Sequence, residues 1–176
     1  MESIYYVMTW LCHRTCVHCY EDRFRPYYGH GLERAVAESR ANFAAIIGNL
    51  PDSMIFERRD GSRGRGRVIL AGGEVLLEPV RESVLYAGLV ALRRKYGADV
   101  QLIVQTTGDL LTPRIVDELL AHGVELISVS GVDAFHTGLE QEAARAGLMA
   151  KLRGLFVAHG LDEVPHDPVH VQQGKP

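Results

Sequence analysis

Residues 100–130 read VQLIVQTTGDLLTPRIVDELLAHGVELISVS, and this stretch decides the fold class. The apolar runs at its two ends, 100–105 and 125–130, have no helical period and predict buried strands. Between them, Thr112-Pro113 supplies an N-cap and a favourable first helical residue, and Gly123 follows the last turn. A strand, a helix and a second strand in this order predict a parallel βαβ unit and therefore an α/β protein.

The same alternation extends towards the N terminus. Apolar runs over 4–10 and 67–71 predict two more strands, and each is followed by apolar residues at helical spacing. The first of these helices carries Leu32, Val36, Phe43, Ile46, Ile47 and Leu50, and the second carries Val80, Val84, Leu85, Leu89, Leu92 and Tyr96. After the fourth strand, Thr137 and Glu140 have the spacing of a capping box, which predicts a last helix from Thr137 to Gly160. Four such units predict a parallel sheet covered on both faces.

Composition favours an ordinary globular protein of 176 residues, with 47% hydrophobic residues and a formal net charge of −3. That charge provides no global positive field for nucleic acid, and no apolar run reaches the roughly 20 residues of a membrane helix. Met1-Glu2-Ser3 lacks the basic start of a secretory signal, so we expect a cytoplasmic protein. We expect one core domain over 1–160 and an irregular tail over 161–176.

One segment does not fit the alternation, because residues 57–67 interleave arginines with glycines. The arginines are Arg58, Arg59, Arg63, Arg65 and Arg67. Such a loop could bind a polyanion, but a solvated hairpin tip around Asp60-Gly61 is the favoured interpretation. A helix-to-strand loop also lies at the edge of the sheet opposite the strand carboxyl ends, where such folds bind their ligands.

The three cysteines of the chain lie within eight residues, as Cys12, Cys16 and Cys19, directly after the first predicted strand. An odd, tightly grouped set in a reducing cytosol favours metal binding or catalysis over a disulfide framework. Structural zinc would need a fourth ligand from His13 or His18, and such sites usually draw on two separated ligand pairs.

Three other interpretations of the cysteines remain open besides zinc. A redox pair of Cys16 and Cys19 would normally lie at a helix N-terminus, whereas residues 20–26 do not predict a helix. Buried inert thiols would explain the residue type but not the spacing. An iron–sulfur cluster bound by three thiolates explains both, and it leaves one iron open to another ligand.

The segment Cys12-His-Arg-Thr-Cys16-Val-His-Cys19-Tyr20 resembles the cluster motif of the radical SAM (S-adenosylmethionine) enzymes. Three more segments, each after a predicted strand, resemble the family's later motifs. They are Gly72-Gly-Glu-Val-Leu-Leu-Glu-Pro79, Thr106-Thr-Gly-Asp-Leu-Leu-Thr112 and Ser128-Val-Ser-Gly-Val-Asp-Ala-Phe-His136. The resemblance covers about residues 4 to 140, and the cysteine motif is its specific part.

This resemblance implies a parallel-strand partial (βα) barrel, of which about four of the family's six units are present. It implies a [4Fe–4S] cluster and S-adenosylmethionine as cofactors, and a one-electron donor such as flavodoxin or ferredoxin as a partner. In the family, one electron from the cluster cleaves S-adenosylmethionine, and the 5′-deoxyadenosyl radical then abstracts hydrogen from a substrate. Which substrate this chain would use does not follow from its sequence.

Residue roles follow from the same resemblance. Cys12, Cys16 and Cys19 would bind the cluster, while the Gly72-Gly73 backbone and Glu74 would approach the methionyl amine. His18 occupies the usually aromatic position that packs against adenine, and Tyr20 closes the same motif. The candidates for the methionyl carboxylate and the ribose are Thr106, Thr107, Ser128, Ser130 and, more weakly, Asp133. His136 is a candidate to face the substrate.

The chain departs from the family pattern in three ways. Val75 replaces a common proline, Thr107 replaces a common asparagine, and the family's fifth-strand adenine motif has no match here. The alternative function is therefore a non-enzymatic partial domain that binds an iron–sulfur cluster or zinc and needs a further segment or a partner chain. On this interpretation the chain would be the N-terminal portion of the family's core and inactive alone.

Overall fold

A four-stranded parallel sheet organises the computed structural model, which describes residues 1–164. The strands are β1 (Ser3–Val7), β2 (Phe56–Glu57), β3 (Arg63–Gly64), β4 (Gly66–Ala71), β5 (Val100–Thr106) and β6 (Leu126–Val129). The helices are α1 (Gly29–Asn49), α2 (Glu78–Val80), α3 (Tyr86–Tyr96), α4 (Pro113–Ala121) and α5 (Glu142–Ala158), with a π-helical turn (Arg81–Leu85) between α2 and α3. The sheet order is β1-β4-β5-β6, and every pair in it is parallel.

The two central strands explain why the sheet forms. One face of β4 and β5 is apolar and buried, since Val68, Leu70, Leu102 and Val104 are at most 1% exposed. The other face carries Arg67, Gln101 and Gln105, which are partly exposed. The prediction of a sheet covered on both faces is therefore wrong: side chains alternate along each strand, and only one of the two faces belongs to the hydrophobic core. The α/β prediction is confirmed in this form, as a four-stranded parallel sheet that does not close into a barrel within residues 1–164.

The predicted apolar face of the second helix is confirmed, because all six of its residues from Val80 to Tyr96 are buried. The helix is interrupted by the π-helical turn, which periodicity did not reveal. The first helix ends at Asn49, as expected from Pro51, and it packs against the second through Phe43 and Gly88.

Capping was predicted correctly at one helix and wrongly at another. The Thr112 side chain accepts a hydrogen bond of 3.3 Å from the backbone N–H of Ile115, which confirms the start of α4. The last helix begins at Glu142 rather than Thr137. The Glu140 carboxylate instead accepts from the N–H of Gly138, whose φ of +86° is incompatible with a helix, so these residues form a turn.

Three smaller expectations can also be compared with the structure. The first strand ends at Val7 rather than residue 10, because the chain turns away after the Met8 N–H bonds to Ala71. Residues 57–67 contain the predicted hairpin, since β2 pairs with β3 in an antiparallel register around Asp60-Gly61. Most of the predicted tail, residues 165–176, lies outside the described residues.

Within residues 1–164, the helices are all too short or too polar to cross a bilayer. The longest of them is α1, with 21 residues, and only Ser39, Phe43 and Ile47 are buried along its length. Its remaining surface is largely polar, as expected for a helix that covers one face of a sheet.

The contact between α1 and α3 gives a stability prediction. A methyl group added at Gly88 would overlap the buried ring of Phe43, whereas one added at Gly154, inside α5, would meet nothing within 4 Å. Gly88→Ala should lower the free energy of unfolding by about 2 kcal/mol through overpacking. Gly154→Ala should raise it by roughly 0.5 to 1 kcal/mol through helix propensity. Urea denaturation followed by circular dichroism measures both, and equal effects of the two changes would contradict this packing.

Candidate functional site

The three cysteines lie on one loop that follows β1 at the carboxyl edge of the sheet. The base of the loop is closed by a bridge between Leu11 and Arg25, and the Cys12 N–H donates to the Arg25 carbonyl at 3.1 Å. All three thiols are free; Cys12 is buried, and Cys16 and Cys19 are partly exposed. The sequence therefore places three unpaired sulfurs in a closed loop beside the strand ends.

The glycines after β4 hold the start of this loop. The Gly73 N–H donates to the Thr9 carbonyl at 3.0 Å, and the Glu74 N–H donates to the Leu11 carbonyl at 2.8 Å. A Cβ at Gly72 would lie 2.7 Å from the Thr9 carbonyl oxygen, and one at Gly73 would lie 2.9 Å from the Cys12 Cβ. Both positions therefore require glycine, because the two backbones approach too closely for a side chain.

Glu74 is the most buried charged group of the site, with 1% of its surface exposed. Its carboxylate accepts from the Leu76 N–H at 2.8 Å, the Thr107 N–H at 2.8 Å and the hydroxyls of Thr106 and Thr107 at 2.9 and 2.7 Å. A carboxylate offers about four lone-pair positions, so these four donors fill it. Glu74 thus joins the loop after β4 to the loop after β5.

Asp109, on the loop after β5, forms an ionic cluster with two residues of the cysteine motif. Its Oδ2 lies 2.7 Å from Nε2 of His13 and 2.9 Å from the guanidinium of Arg14, which is 8% exposed. Burial alone would raise the pKa of Asp109, but its hydrogen bonds, above all that to His13, hold it well below its usual range. The same bond, aided by the Cys12 thiol and opposed by burial, raises the pKa of His13 to about 9.

The loop after β6 also contacts the cysteine loop at the carboxyl edge of the sheet. Arg14 donates to the Thr137 carbonyl at 2.7 Å, and the Thr137 N–H points at the Cys16 sulfur at 3.5 Å. Ser130 donates both its N–H and its hydroxyl to the Thr106 carbonyl at 2.9 Å, which extends the pairing of β5 and β6. Backbone and side-chain contacts therefore connect the cysteine loop with the loops after all three other strands of the sheet.

A cluster of two imidazoles and one carboxylate joins the cysteine loop, which carries His18, to the loop after β6. His18, Asp133 and His136 place one ligand atom each within 4.8 Å of one another, and they are the one such group of three within residues 1–164. His136 Nδ1 lies 3.0 Å from Asp133, and the His136 ring packs edge-on against His18, with centroids 4.6 Å apart. Burial would raise the pKa of Asp133, but the Phe135 N–H and His136 lower it.

The positions and neighbours of the three sulfurs help to distinguish zinc from an iron–sulfur cluster. A tetrahedral zinc site would bring its sulfurs to about 3.8 Å from one another, given a Zn–S bond near 2.3 Å. The three cysteines form no ligand group within 4.8 Å. Two of the sulfurs face backbone N–H donors, Cys12 from Arg14 at 3.4 Å and Cys16 from Thr137 at 3.5 Å. Such donors stabilise thiolates and are typical around iron–sulfur clusters.

The redox-pair interpretation receives no support from the local geometry. The segment after Cys19 is not helical, and the next helix begins ten residues later at Gly29. Cys16 and Cys19 are instead joined by a turn in which the Cys19 N–H donates to the Cys16 carbonyl at 3.1 Å. The chain therefore places no helix N-terminus directly after this pair, where the redox interpretation needs one.

Most of the residues expected from the sequence lie together at this edge. Tyr20 is an exception, because it is 76% exposed and packs on Phe24. Ser128 lies within β6 and has no side-chain hydrogen bond to the described residues. The sequence did not predict that His13 and Arg14 belong to the site, or that both form ion pairs with Asp109. The sequence carries no signal for these contacts, because they join loops that are far apart along the chain.

Comparison with known proteins assigns no family to this chain. Neither the scan against protein-family models nor the search of curated proteins finds a match. The function is therefore argued from the chemistry of the residues at the carboxyl edge of the sheet.

The saturated carboxylate of Glu74 gives a prediction for stability. Glu74→Gln replaces acceptor positions with an amide that faces buried donors, so it should lower the free energy of unfolding by about 3 kcal/mol. Glu78→Gln, four residues on and exposed, is the matched control and should change it by less than about 0.5 kcal/mol. Chemical denaturation measures both values; similar small effects would show that Glu74 does not join the loops.

The ion pair of His13 gives a pH prediction for the metal-free protein. The folded pKa of about 9 exceeds the ordinary value of 6.5, so this stabilisation is present below pH 6.5 and is lost as the pH rises through about 9. Asp109→Asn should bring the His13 pKa down towards 6.5, as followed by NMR of the imidazole protons. An unchanged His13 titration would contradict the pairing.

Proposed function

We propose that this chain is a radical SAM protein: Cys12, Cys16 and Cys19 hold a [4Fe–4S] cluster, and the neighbouring strand-end loops hold S-adenosylmethionine. The observation that carries this proposal is the junction of the cysteine loop with the loops after β4, β5 and β6, all at the carboxyl edge of a parallel sheet. Sites in α/β folds form at that edge.

The donor set fits a cluster better than a mononuclear metal. Three thiols without a fourth cysteine leave one iron of a four-iron cluster without a protein ligand. The N–H groups of Arg14 and Thr137 face two of the sulfurs and would stabilise their thiolate forms. When bound and reduced, the cluster would supply one electron that breaks the C5′–sulfur bond of S-adenosylmethionine, releasing methionine and a 5′-deoxyadenosyl radical that takes a hydrogen atom from the substrate.

The protein's own residues would position these groups. Arg14 spans the gap between Asp109 and Thr137 and thereby fixes the cysteine loop against two strand ends. The paired, buried guanidinium is costly to displace, since an unpaired charge would be left behind. The loop would therefore be held in one arrangement before any cofactor binds, which reduces the ordering that binding requires.

The contacts of Glu74 favour an indirect role rather than a direct bond to the methionyl amine. Because four protein donors fill its carboxylate, a methionyl amine would have to displace a threonine hydroxyl to bond with it directly. The hydroxyl of Thr107 also contacts Asp109. It has a single proton and can donate it to only one of the two carboxylates, so it is the donor that Glu74 would lose most easily. We therefore assign Glu74 as a positioning residue whose negative charge favours a cationic amine nearby.

The cluster of His18, Asp133 and His136 would form the outer side of the cofactor site. His18 occupies the position expected to pack against adenine, and its ring is exposed and oriented by His136. Imidazole can both stack on a base and hydrogen-bond to it. His136 is held by Asp133 and is therefore proposed to orient His18 as well as to face the substrate.

Anaerobic reconstitution with iron and sulfide tests this function. The protein should bind about four irons per chain and, with dithionite, convert S-adenosylmethionine to 5′-deoxyadenosine. Cys12→Ala, Cys16→Ala and Cys19→Ala should each lose product formation by at least about a hundredfold, because each removes a ligand to the cluster. Thr15→Ala is the matched control, since Thr15 lies in the same loop and is exposed.

The opposite results separate the alternatives. Zinc in place of iron in the purified chain, lost when the cysteines are replaced, would contradict the proposal and favour the zinc-binding alternative. A stable cluster without cleavage of S-adenosylmethionine would favour the non-enzymatic partial domain, which needs a further segment or a partner chain.

A further inference from the structure

A second concave site lies at the opposite edge of the sheet from the cysteines. A cavity of about 680 Å³ is bounded by the β2–β3 hairpin and by the amino ends of β1, β4 and β5. β5 is seven residues long, so this cavity is separated from the carboxyl edge by about 20 Å. The proposed cluster chemistry does not use it.

Arginine dominates the lining of this cavity. The basic residues are Arg58, Arg59, Arg63, Arg65 and Arg67, and the acidic ones are Glu2 and Glu57. The chain as a whole carries a net charge of −3, so this cavity concentrates positive charge on a molecule that is negative overall. Five guanidinium groups around one space repel one another unless an anion lies between them.

Three of the five arginines have partners among the described residues, and two have none. Arg58 donates to the Ser62 hydroxyl and to the Arg63 carbonyl, both at 3.4 Å. Arg65 lies 2.7 Å from Glu125 and also donates to the Val100 carbonyl, while Arg67 contacts Glu2 at 3.4 Å. Arg59 and Arg63 make no side-chain hydrogen bond or ion pair with the residues that the structure describes. Their guanidinium groups are exposed and available to bind an anion bidentately.

The hairpin that carries these arginines is held in a defined shape. Gly61 adopts φ +79° at the turn, and Asp60 accepts from both the N–H and the hydroxyl of Ser62, at 2.9 and 2.7 Å. The ring of Phe56 packs on Gly64, where a Cβ would lie 2.5 Å from its Cζ, and it lines the cavity. The cavity therefore combines a preformed basic rim with an aromatic surface.

We propose that this cavity is a nucleotide-binding site, in which Arg59 and Arg63 bind the phosphates of a nucleoside di- or triphosphate and Phe56 contacts its base. Phosphate oxygens match the planar guanidinium, and a base stacks readily on an aromatic ring. The volume lies within the 300 to 1,000 Å³ common for small-molecule sites.

A free nucleotide fits this surface better than a polymer. A nucleic acid strand would have to extend past the cavity over a protein of net negative charge, whereas a single nucleotide places its charge only among the arginines. The net charge of −3 provides no global surface for nucleic acid, whereas five of the nineteen Lys and Arg residues line this one concave site.

Calorimetric titration of the metal-free full chain at low salt tests the proposal, with ATP, inorganic tripolyphosphate and adenosine as probes. ATP should bind more tightly than either tripolyphosphate or adenosine. The double variant Arg59→Ala/Arg63→Ala should weaken ATP binding about tenfold. Phe56→Leu should weaken binding of ATP but leave that of tripolyphosphate unchanged, which separates the base contact from the phosphate contact.

A matched control removes the same amount of positive charge as Arg59→Ala/Arg63→Ala, but at sites far from the cavity. Arg40→Ala/Arg153→Ala also removes two exposed arginines, from α1 and α5, and should leave ATP binding unchanged. Circular dichroism checks that each variant folds. Equal weakening of ATP binding by both double variants would overturn the proposal, because it would show that binding depends on the net charge and not on Arg59 and Arg63. Failure of ATP to bind at low salt, or tighter binding of a short single-stranded RNA than of ATP, would also overturn it. None of these results depends on the iron–sulfur proposal.

Discussion

The buried carboxylate of Glu74 is the interaction on which the carboxyl edge of the sheet depends. Four donors fill it: the N–H of Leu76, the hydroxyl of Thr106 at the end of β5, and the N–H and hydroxyl of Thr107. A buried carboxylate is stable only when its lone pairs are satisfied, so the positions of Thr106 and Thr107 are fixed relative to β4. The preceding Gly72-Gly73 backbone packs against the start of the cysteine loop, and the same short segment therefore positions two neighbouring loops.

A cluster of charged side chains connects the other loops to this arrangement. Asp109 binds His13 and Arg14, and Arg14 reaches the Thr137 carbonyl, so one buried guanidinium joins the loops after β1, β5 and β6. Because removing one partner of such a group leaves a buried charge uncompensated, the cluster favours one relative position of the loops. The sulfurs of Cys12 and Cys16 face backbone N–H donors as a consequence. The opposite edge of the sheet, with its arginine cavity, is independent of these contacts.

Periodicity predicted the parts of the fold that hydrophobic burial decides. The four strands, the apolar face through Val80 and Leu92, and the Thr112 cap agree with the structure, because each reflects a local pattern of the chain. The start of α5 was wrong, since Glu140 satisfies the N–H of Gly138 in a turn and a capping box has the same spacing. The saturation of Glu74 and the Arg14 ion pair could not be predicted, because both depend on how loops far apart in sequence meet. Strand order brought these loops to one edge, but side-chain geometry decided their partners.

The central claim is that three thiolates hold a cluster with one iron open to S-adenosylmethionine. Low-temperature electron paramagnetic resonance of the reconstituted, dithionite-reduced protein tests it most directly, with spectra recorded before and after S-adenosylmethionine is added. A reduced [4Fe–4S] signal whose g values shift on addition is the predicted result, because the cofactor would become a ligand of the open iron. A cluster signal that is identical in both spectra, or no cluster signal at all, would contradict the claim.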